Sequence, residues 1–321
     1  MDMSYVGLNR MEADMTKTRK IQKVVKAKPV IEGAGVHLNR VFGFSEESLF
    51  DPFLLLDDFR SSTPAHFLKG FPWHPHRGIE TITYVLRGDV EHGDSMGNQG
   101  IITAGDVQWM TAGSGVIHQE MPKGDAEGRM YGFQLWANLP ASHKMMDPRY
   151  RDVRSEQIEE VLLENGAKIK IVCGKVGNKQ GPVRDIIIDP EYLDVTVPPK
   201  TEFIHPTKRD HTVFAYVIDG KGYFCGEKNP FAYEREGVNY FDLQTDPFIG
   251  NNTLVLFGAG DQMVMSTEND PVRFLLISGK PIGEPVAWYG PIVMNTQEEL
   301  QVAFEEYSNG TFIKKGRKSP A

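Results

Sequence analysis

Two short pairs of potential metal ligands stand out in the sequence. His74 and His76 form one pair, and His118 and Glu120 form the other, with one residue between the partners each time. Side chains alternate between the two faces of an extended strand, so both members of a pair point to the same face. Two such strands lying side by side would bring three imidazoles and a carboxylate together. That donor set suits Fe(II), Zn, Cu or Mn and leaves coordination positions open for water, dioxygen or substrate.

The surroundings of the two pairs favour a metal site over chance. The chain has 9 histidines in 321 residues, so a single His-x-His is more often an ordinary structural feature. Here a second pair is present, and glycine, tryptophan and proline crowd around both, in residues 74–78 and 105–115. These residue types indicate a tightly constrained backbone rather than a solvated surface.

Length and charge limit the classes of function. A chain of 36.1 kDa can form one large or two ordinary domains with real cores. Its two cysteines, Cys173 and Cys225, are too few for a disulfide framework and fit a reducing compartment. The formal net charge of −8 argues against bulk electrostatic binding to nucleic acid or to an anionic membrane.

The two ends of the chain carry weaker signals. Residues 1–22 are predicted to form a disordered extension, and residues 314–321 a basic tail. Basic clusters near both ends are explained more simply by solvated charge than by nuclear import. No apolar run approaches the ~20 residues that span a bilayer, and the acidic residues near the start disfavour a secretory signal. We therefore expect the protein in the cytoplasm, the nucleus or both.

Strand and turn signals dominate both halves of the chain. Read as one continuous strand, residues 74–86 place Glu80, Ile82 and Tyr84 on the face of the two histidines, and Thr83 on the other face. This face is polar at one end and apolar beyond, as expected for a barrel with a site near its mouth.

The second half repeats this plan without the ligands. Residues 205–220 resemble residues 74–88, and aligning Gly220 with Gly88 puts Lys208 at the position of His76. Aligning residues 260–261 with residues 105–106 puts Arg273 and Leu275 at the positions of His118 and Glu120. The comparison predicts two similar barrels, spanning residues 23–150 and 151–313, of which the first alone carries a site.

A short C-terminal helix is the clearest helical signal. Thr296 and Glu299 form a capping box, an apolar stripe follows at helical spacing, and residues 309–310 can end the helix. Residues 156–164 are a second, weaker helical candidate.

Five segments resemble the pirin family of double-barrelled cupins, in the right order along the chain. They are DPFLLLDDF at 51–59, FPWHPHRG at 71–78, GDVQWMTAG at 105–113, HQEMP at 118–122 and GPIVMNT at 290–296. The resemblance implies a mainly all-β bicupin, with two tandem β-barrels. It implies a mononuclear iron in the N-terminal barrel, held by the residues His74, His76, His118 and Glu120, and a second barrel without metal.

Glu80 requires a separate interpretation, because in the general cupin pattern a glutamate near this spacing is itself a ligand. The pirin resemblance assigns the glutamate ligand to Glu120. Glu80 is then expected to orient a ligand or a bound water through a hydrogen bond. A site with five ligands, Glu80 included, is the alternative.

The resemblance also implies a possible activity, since many pirins are described as quercetin 2,3-dioxygenases. The substrate would be a flavonol or another small aromatic enol together with dioxygen. Glu120 would act as general base toward the substrate hydroxyl, and Zn, Cu, Mn or Ni could replace Fe2+. Candidate pocket residues are Phe71, Trp73, Trp109, Met110, Phe133 and Trp136, although any one of them is more often ordinary barrel core.

A regulatory role is the alternative from a different class. The resemblance to pirins also implies a nuclear cofactor, in which the oxidation state of the iron alters the surface that binds a transcription factor or signalling protein. The acidic balance favours a protein partner over direct DNA contact, and we expect a monomer. A purely structural metal is less favoured, because four ligands from two strands leave open positions.

Overall fold

The computed structural model describes residues 16–226, 228–229, 231–236 and 246–314, and they fold mainly into β-strands. The first half contains these strands and one short helix: β1 Ile21–Lys26, β2 Lys28–Glu32, β3 Val36–Phe42, α1 Glu47–Phe50, β4 Phe53–Asp58, β5 Phe71–His76, β6 Ile79–Arg87, β7 Asp89–Asp94, β8 Gln99–Ile102, β9 Val107–Thr111, β10 Val116–Lys123, β11 Tyr131–Asn138 and β12 Arg149–Val153. The all-β prediction is confirmed.

The second half continues in the same way. Its elements are β13 Glu159–Leu162, β14 Lys168–Cys173, β15 Lys175–Val176, β16 Lys179–Gln180, β17 Glu191–Val197, β18 Glu202–Pro206, β19 Thr212–Gly222, β20 Glu234–Arg235, β21 Ile249–Gly250, β22 Thr253–Phe257, β23 Gln262–Ser266, β24 Val272–Gly279, β25 Ala287–Tyr289, β26 Ile292–Met294 and α2 Gln297–Ser308. Short 3-10 turns occur at Pro64–His66, Ala141–His143 and Ser155–Gln157. The described residues contain no helix long and apolar enough to cross a membrane.

The predicted C-terminal helix is confirmed, whereas the second helical candidate is wrong. Thr296 caps α2 and forms the expected capping box with Glu299. Residues 156–164 instead form part of a 3-10 turn and strand β13, because β13 pairs with β14 at the edge of a sheet. Tertiary pairing has overridden the local helical preference there.

Each barrel consists of a large sheet and a smaller one. In the first barrel the large sheet has the order β12-β9-β6-β11-β4-β3-β2, and the small sheet has the order β5-β10-β7-β8. In the second barrel the large sheet follows the order β13-β14-β17-β24-β19-β22-β1-β20, with β21 beside β19, and β18 pairs with β23. The two large sheets pack face to face, and Phe53 of the first barrel meets Phe214 of the second edge-on at 5.3 Å.

Two tyrosines make reciprocal hydrogen bonds across this interface. The Tyr84 hydroxyl of β6 donates to Asp194 of the second barrel, and the Tyr216 hydroxyl of β19 donates to Asp58 of the first, both at 2.7 Å. Each aspartate is also bonded by an arginine near its own strand, Arg273 for Asp194 and Arg60 for Asp58. The buried carboxylates are therefore paired, as burial requires.

Each end of the chain packs on the barrel more distant in sequence. Strand β1 pairs antiparallel with β22, so residues 21–26 lie in the second barrel. The domain division from sequence placed residues 23–26 in the first barrel and residues 21–22 in the disordered extension, of which residues 1–15 lie outside the described residues. Residues 284–313 were assigned to the second barrel, yet they pack on the first. Buried Arg77 shows this contact, since its guanidinium donates to the Phe312 carbonyl at 2.9 Å and pairs with Glu306 of α2. The pattern of apolar residues within a strand does not show that the end of a chain packs on a barrel distant in sequence.

A sharp corner separates β5 from β6. Gly78 has φ +78°, and a Cβ at this position would lie 1.9 Å from the Val293 carbonyl oxygen of the C-terminal segment. Only glycine fits this conformation and this close approach. The corner places β5 and β6 in different sheets, so the alternation of faces does not continue from His76 into β6.

Candidate metal centre

Three histidines converge between β5 and β10. His118 of β10 lies directly opposite His74 of β5, and His76 follows His74 on the same face. One ring nitrogen from each of the three lies within 4.8 Å of the other two. The prediction that the His-x-His pair and His118 meet on adjacent strands is therefore matched by the geometry.

Hydrogen bonds fix which nitrogens face inward. The Nδ1 atom of His74 lies 2.8 Å from the Pro72 carbonyl oxygen, and the Nδ1 atom of His76 lies 2.9 Å from that of Pro291. A carbonyl can only accept, so each Nδ1 carries the hydrogen and each Nε2 keeps a free lone pair. The two Nε2 atoms are 3.1 Å apart, a distance at which two acceptors repel unless a cation lies between them.

His118 gives the clearest sign of a missing partner. Its Nε2 is buried and has no hydrogen-bond partner among the described residues. Burial lowers the pKa of all three imidazoles, that of His76 to about 3 and that of His118 well below its ordinary value. Neutral imidazoles with inward lone pairs are the form that binds a transition metal. The residues present thus fit a metal ion, and their nitrogen donors suit Fe, Zn, Cu or Ni without selecting one.

Glu120 lies beside the cluster but is not one of its three members. Its side chain lines the same cavity, and its Oε1 accepts a hydrogen bond from the Thr83 hydroxyl at 2.9 Å. Burial raises the pKa of this carboxyl to about 7. Its assignment as the fourth ligand and as a general base remains a proposal.

Glu80 lies on the opposite side of the sheet from the metal cluster. Its carboxylate accepts from the Thr111 hydroxyl at 2.5 Å and from the Trp109 indole at 3.2 Å, and Glu80 is buried. The corner at Gly78 reverses the faces, so that Thr83 rather than Glu80 points toward Glu120. The expected role of Glu80 in orienting a ligand therefore finds no contact in this structure.

A cavity of about 420 Å³ opens beside the histidines. Two of the six predicted pocket residues, Phe71 and Trp136, line it. The other four do not. Trp109 and Phe133 lie in the core between the barrels, Met110 packs in a separate cluster, and Trp73 is 52% exposed.

The C-terminal segment supplies pocket residues that sequence reasoning missed. Trp288 lines the cavity and stacks on Phe44 with ring centroids 3.9 Å apart, while Gly290 and Pro291 complete the wall. The sequence offered one signal, since the segment 290–296 belongs to the motifs that resemble pirins. It contained nothing to place that segment against the first barrel.

The second barrel has other residues at the equivalent position. Strand β23 pairs with β18 as β10 pairs with β5, and it joins His205 to Met263 and Phe203 to Met265. The alignment that put Arg273 and Leu275 at the ligand positions is wrong, because both lie in β24, the counterpart of β11. Among the residues that the structure describes, the three histidines of the first barrel form the one cluster able to hold a metal.

These features define a double-barrelled cupin with one candidate metal centre. Residues 35–137 match the family model named Pirin, and residues 192–313 match the Pirin C-terminal cupin domain. The chain belongs to the pirin family.

Individual relatives support this assignment over nearly the whole chain. A pirin-like protein from Caulobacter vibrioides is 40% identical over 295 residues, which cover 92% of this chain and 99% of that protein. Pirin-1 from Arabidopsis thaliana is 39% identical, covering 91% and 93% of the respective chains. The crystal structure of a quercetin 2,3-dioxygenase from Acinetobacter baumannii is similar with a TM-score of 0.78 at 26% identity, covering 94% of this chain and all of that one.

Proposed function

We propose that the protein is a mononuclear iron oxygenase that acts on flavonols or related aromatic enols. The observation that carries the proposal is the convergence of three neutral imidazoles at one side of an aromatic-lined cavity. The similarity to a quercetin 2,3-dioxygenase supports the choice of substrate class. A bound Fe(II) would supply dioxygen chemistry.

Glu120 is the residue best placed to handle a proton. Burial raises the pKa of its carboxyl to about 7. A bound metal ion would lower this pKa, so that the carboxylate is the form available to accept a proton at neutral pH. The Thr83 hydroxyl orients it at 2.9 Å. In the proposed reaction Glu120 accepts the proton of the substrate hydroxyl, and it can also complete the metal coordination.

The aromatic walls hold the substrate ring and exclude water. Trp136, Trp288 and Phe71 come from three separate parts of the chain and line one cavity. Aromatic side chains favour offset or edge-on contacts with a planar ligand. The cavity is thus suited to a flat molecule whose chelating oxygens reach the histidines.

Oxygen uptake tests the proposal. Protein loaded anaerobically with Fe(II) is expected to consume dioxygen when quercetin is added, and Glu120→Gln to slow this by about 100-fold or more while iron is retained in part. His205→Ala, in the second barrel, is the control and should keep the rate of the wild type. If quercetin causes no oxygen uptake in the wild type, the enzymatic proposal is wrong.

A redox-sensitive regulatory role is the second candidate, favoured by one contact. The Pro291 carbonyl bonds His76 and belongs to the hairpin of β25 and β26, whose Tyr289 is 69% exposed. A change in metal charge would reach this surface through the bond. Hydrogen exchange of residues 284–314 should then differ between ferrous and ferric protein, and equal exchange would remove this candidate.

A further inference from the structure

A row of polar side chains crosses the wall of the metal cavity. Arg40, Asp57, Gln134 and Thr83 lie directly opposite one another on β3, β4, β11 and β6. Adjacent strands are separated by 4.7–4.9 Å, so the row extends over ~14 Å. All four residues line the cavity, and the row ends at Thr83, which bonds Glu120 beside the histidines.

The end of the row remote from the metal is charged. The Arg40 guanidinium binds both oxygens of Asp57, at 2.9 and 2.8 Å, and Glu32 at 2.8 Å. Asp57 is 5% exposed. The walls around this end are apolar, with Leu38, Leu55 and Phe59 among them.

Stability alone gives little reason for this arrangement. A buried ion pair is often no more stabilising than well-packed apolar residues of the same volume, and this one lies on the wall of an apolar cavity. Two carboxylates against one guanidinium leave one net negative charge. Each carboxylate offers about four lone-pair sites, more than Arg40 occupies. This end of the cavity therefore favours hydrogen-bond donors without negative charge.

We propose that Asp57, held by Arg40, is a specificity-determining residue that accepts hydrogen bonds from hydroxyl groups at the far end of the substrate. The preferred substrate is then a neutral, polyhydroxylated planar aromatic whose chelating oxygens lie at the histidines. Aromatics carrying a carboxylate or sulfate at the far end are rejected by the two acidic side chains. The inference rests on the proposed function, because it assumes that a flavonol-like chelator occupies this cavity.

Anaerobic binding of two probes tests the inference without turnover. Quercetin carries hydroxyls on both ring systems, whereas 3-hydroxyflavone has the chelating hydroxyl alone. Metal-loaded wild-type protein should bind quercetin at least about tenfold more tightly, as expected for hydrogen bonds to a charged acceptor. Asp57→Asn should weaken the binding of quercetin by a similar factor and leave the dissociation constant of 3-hydroxyflavone unchanged. Absorbance titration of the flavonol measures both constants.

Two further variants complete the design. Asp125→Asn is the matched control, because Asp125 also bonds an arginine, Arg129 at 3.0 Å, but is not among the residues lining the cavity. Asp125→Asn should keep the ratio of the two dissociation constants, for quercetin and 3-hydroxyflavone, that the wild type shows. If Asp57→Asn fails to fold, the double variant Arg40→Met with Asp57→Leu removes the pair together, and quercetin should again lose its advantage.

The possible outcomes separate the two proposals. If the wild type binds both probes equally, or if the Asp57 variants keep the preference for quercetin, the role of Asp57 is wrong while the flavonol function stands. If the wild type binds neither probe, the flavonol function itself is wrong and this inference is lost with it.

Discussion

The large sheets of the two barrels share a strand order, but the barrels differ in what fills them. In the first, β5 and β10 carry three histidines next to a cavity of about 420 Å³. In the second, the equivalent strands β18 and β23 carry Phe203, Met263 and Met265, which are completely buried in an apolar cluster. The sheet geometry alone therefore does not make a site. The site exists where the inward side chains leave space and supply ligand atoms.

The faces that the barrels turn toward each other are much more alike. Tyr84 and Tyr216 occupy matching places on β6 and β19, and each donates to an aspartate of the other barrel at 2.7 Å. The interface is therefore nearly symmetric, whereas the interiors have diverged. Each of the following predictions tests one part of that contrast.

The largest effect is expected on metal binding. His118→Ala removes a ligand of the first barrel, and the affinity for the metal should fall by about 100-fold or more, above the loss typical of an outer-sphere change. His205 is a buried histidine of the second barrel on β18, the counterpart of β5, and its Nε2 lies 2.8 Å from Glu191. His205→Ala should leave the affinity unchanged. Metal analysis and chelator competition measure both.

This contrast can fail in two informative ways. Full metal content in His118→Ala would show that the three histidines are not the ligand set. Loss of metal in His205→Ala, with the first barrel still folded, would show that the second barrel takes part in binding.

The contacts made by the two chain ends should differ in their dependence on pH. Lys144 bonds Gly78, Asn138 and Val293 and so joins the first barrel to the C-terminal segment, and burial lowers its pKa to about 7. In the unfolded chain the lysine pKa is about 10.4, so between pH 7 and 9 the unfolded state binds more protons. The free energy of unfolding should then rise over this range by about 2 kcal/mol relative to Lys144→Met.

Arg19 is the control for this prediction. It is buried against the second barrel and donates to the carbonyls of Gly258 and Lys208. Arginine does not titrate in this range. Arg19→Met should lower the stability at every pH and keep the slope of the wild type. Equal slopes for the wild type and Lys144→Met would refute the role of Lys144.

The symmetry of the interface predicts two equal losses of stability, each smaller than the effects described above. Tyr84→Phe and Tyr216→Phe each remove one hydrogen bond to a buried carboxylate that an arginine still pairs. Each should lower the free energy of unfolding by about 1–2 kcal/mol. Urea unfolding followed by fluorescence and circular dichroism measures the two losses. A loss confined to one variant would mean that the interface is symmetric in geometry but not in energy.

Sequence reasoning succeeded where a pattern stays within one strand. The His-x-His pair and the spacing of His118 predicted side chains that the structure brings within 4.8 Å, and the capping box predicted the start of α2. The capping box is a contact between residues three positions apart, and the histidine pair depends on the alternation of side chains along one strand. Local sequence encodes both features.

It failed where the chain turns a corner or travels far. The prediction for Glu80 assumes that the alternation of faces continues through Gly78. The backbone there has φ +78°, and the next strand belongs to another sheet. Trp288 and Pro291 reach the site from the far end of the chain, and β1 crosses to the second barrel. Such placements are set by packing between distant segments, which no local periodicity describes.

The smallest effect is expected at Glu80, where the sequence and the structure disagree most. Its carboxylate bonds Thr111 and Trp109 on the side of β6 that faces the second barrel. Glu80→Gln should therefore change metal affinity by less than about twofold, whereas Glu120→Gln should lower it by about 10-fold to 100-fold, as for groups at or next to a metal. Chelator competition on both variants measures the difference. A large loss in Glu80→Gln, at unchanged stability, would mean that Glu80 does support the ligands and that the two faces of β6 are coupled.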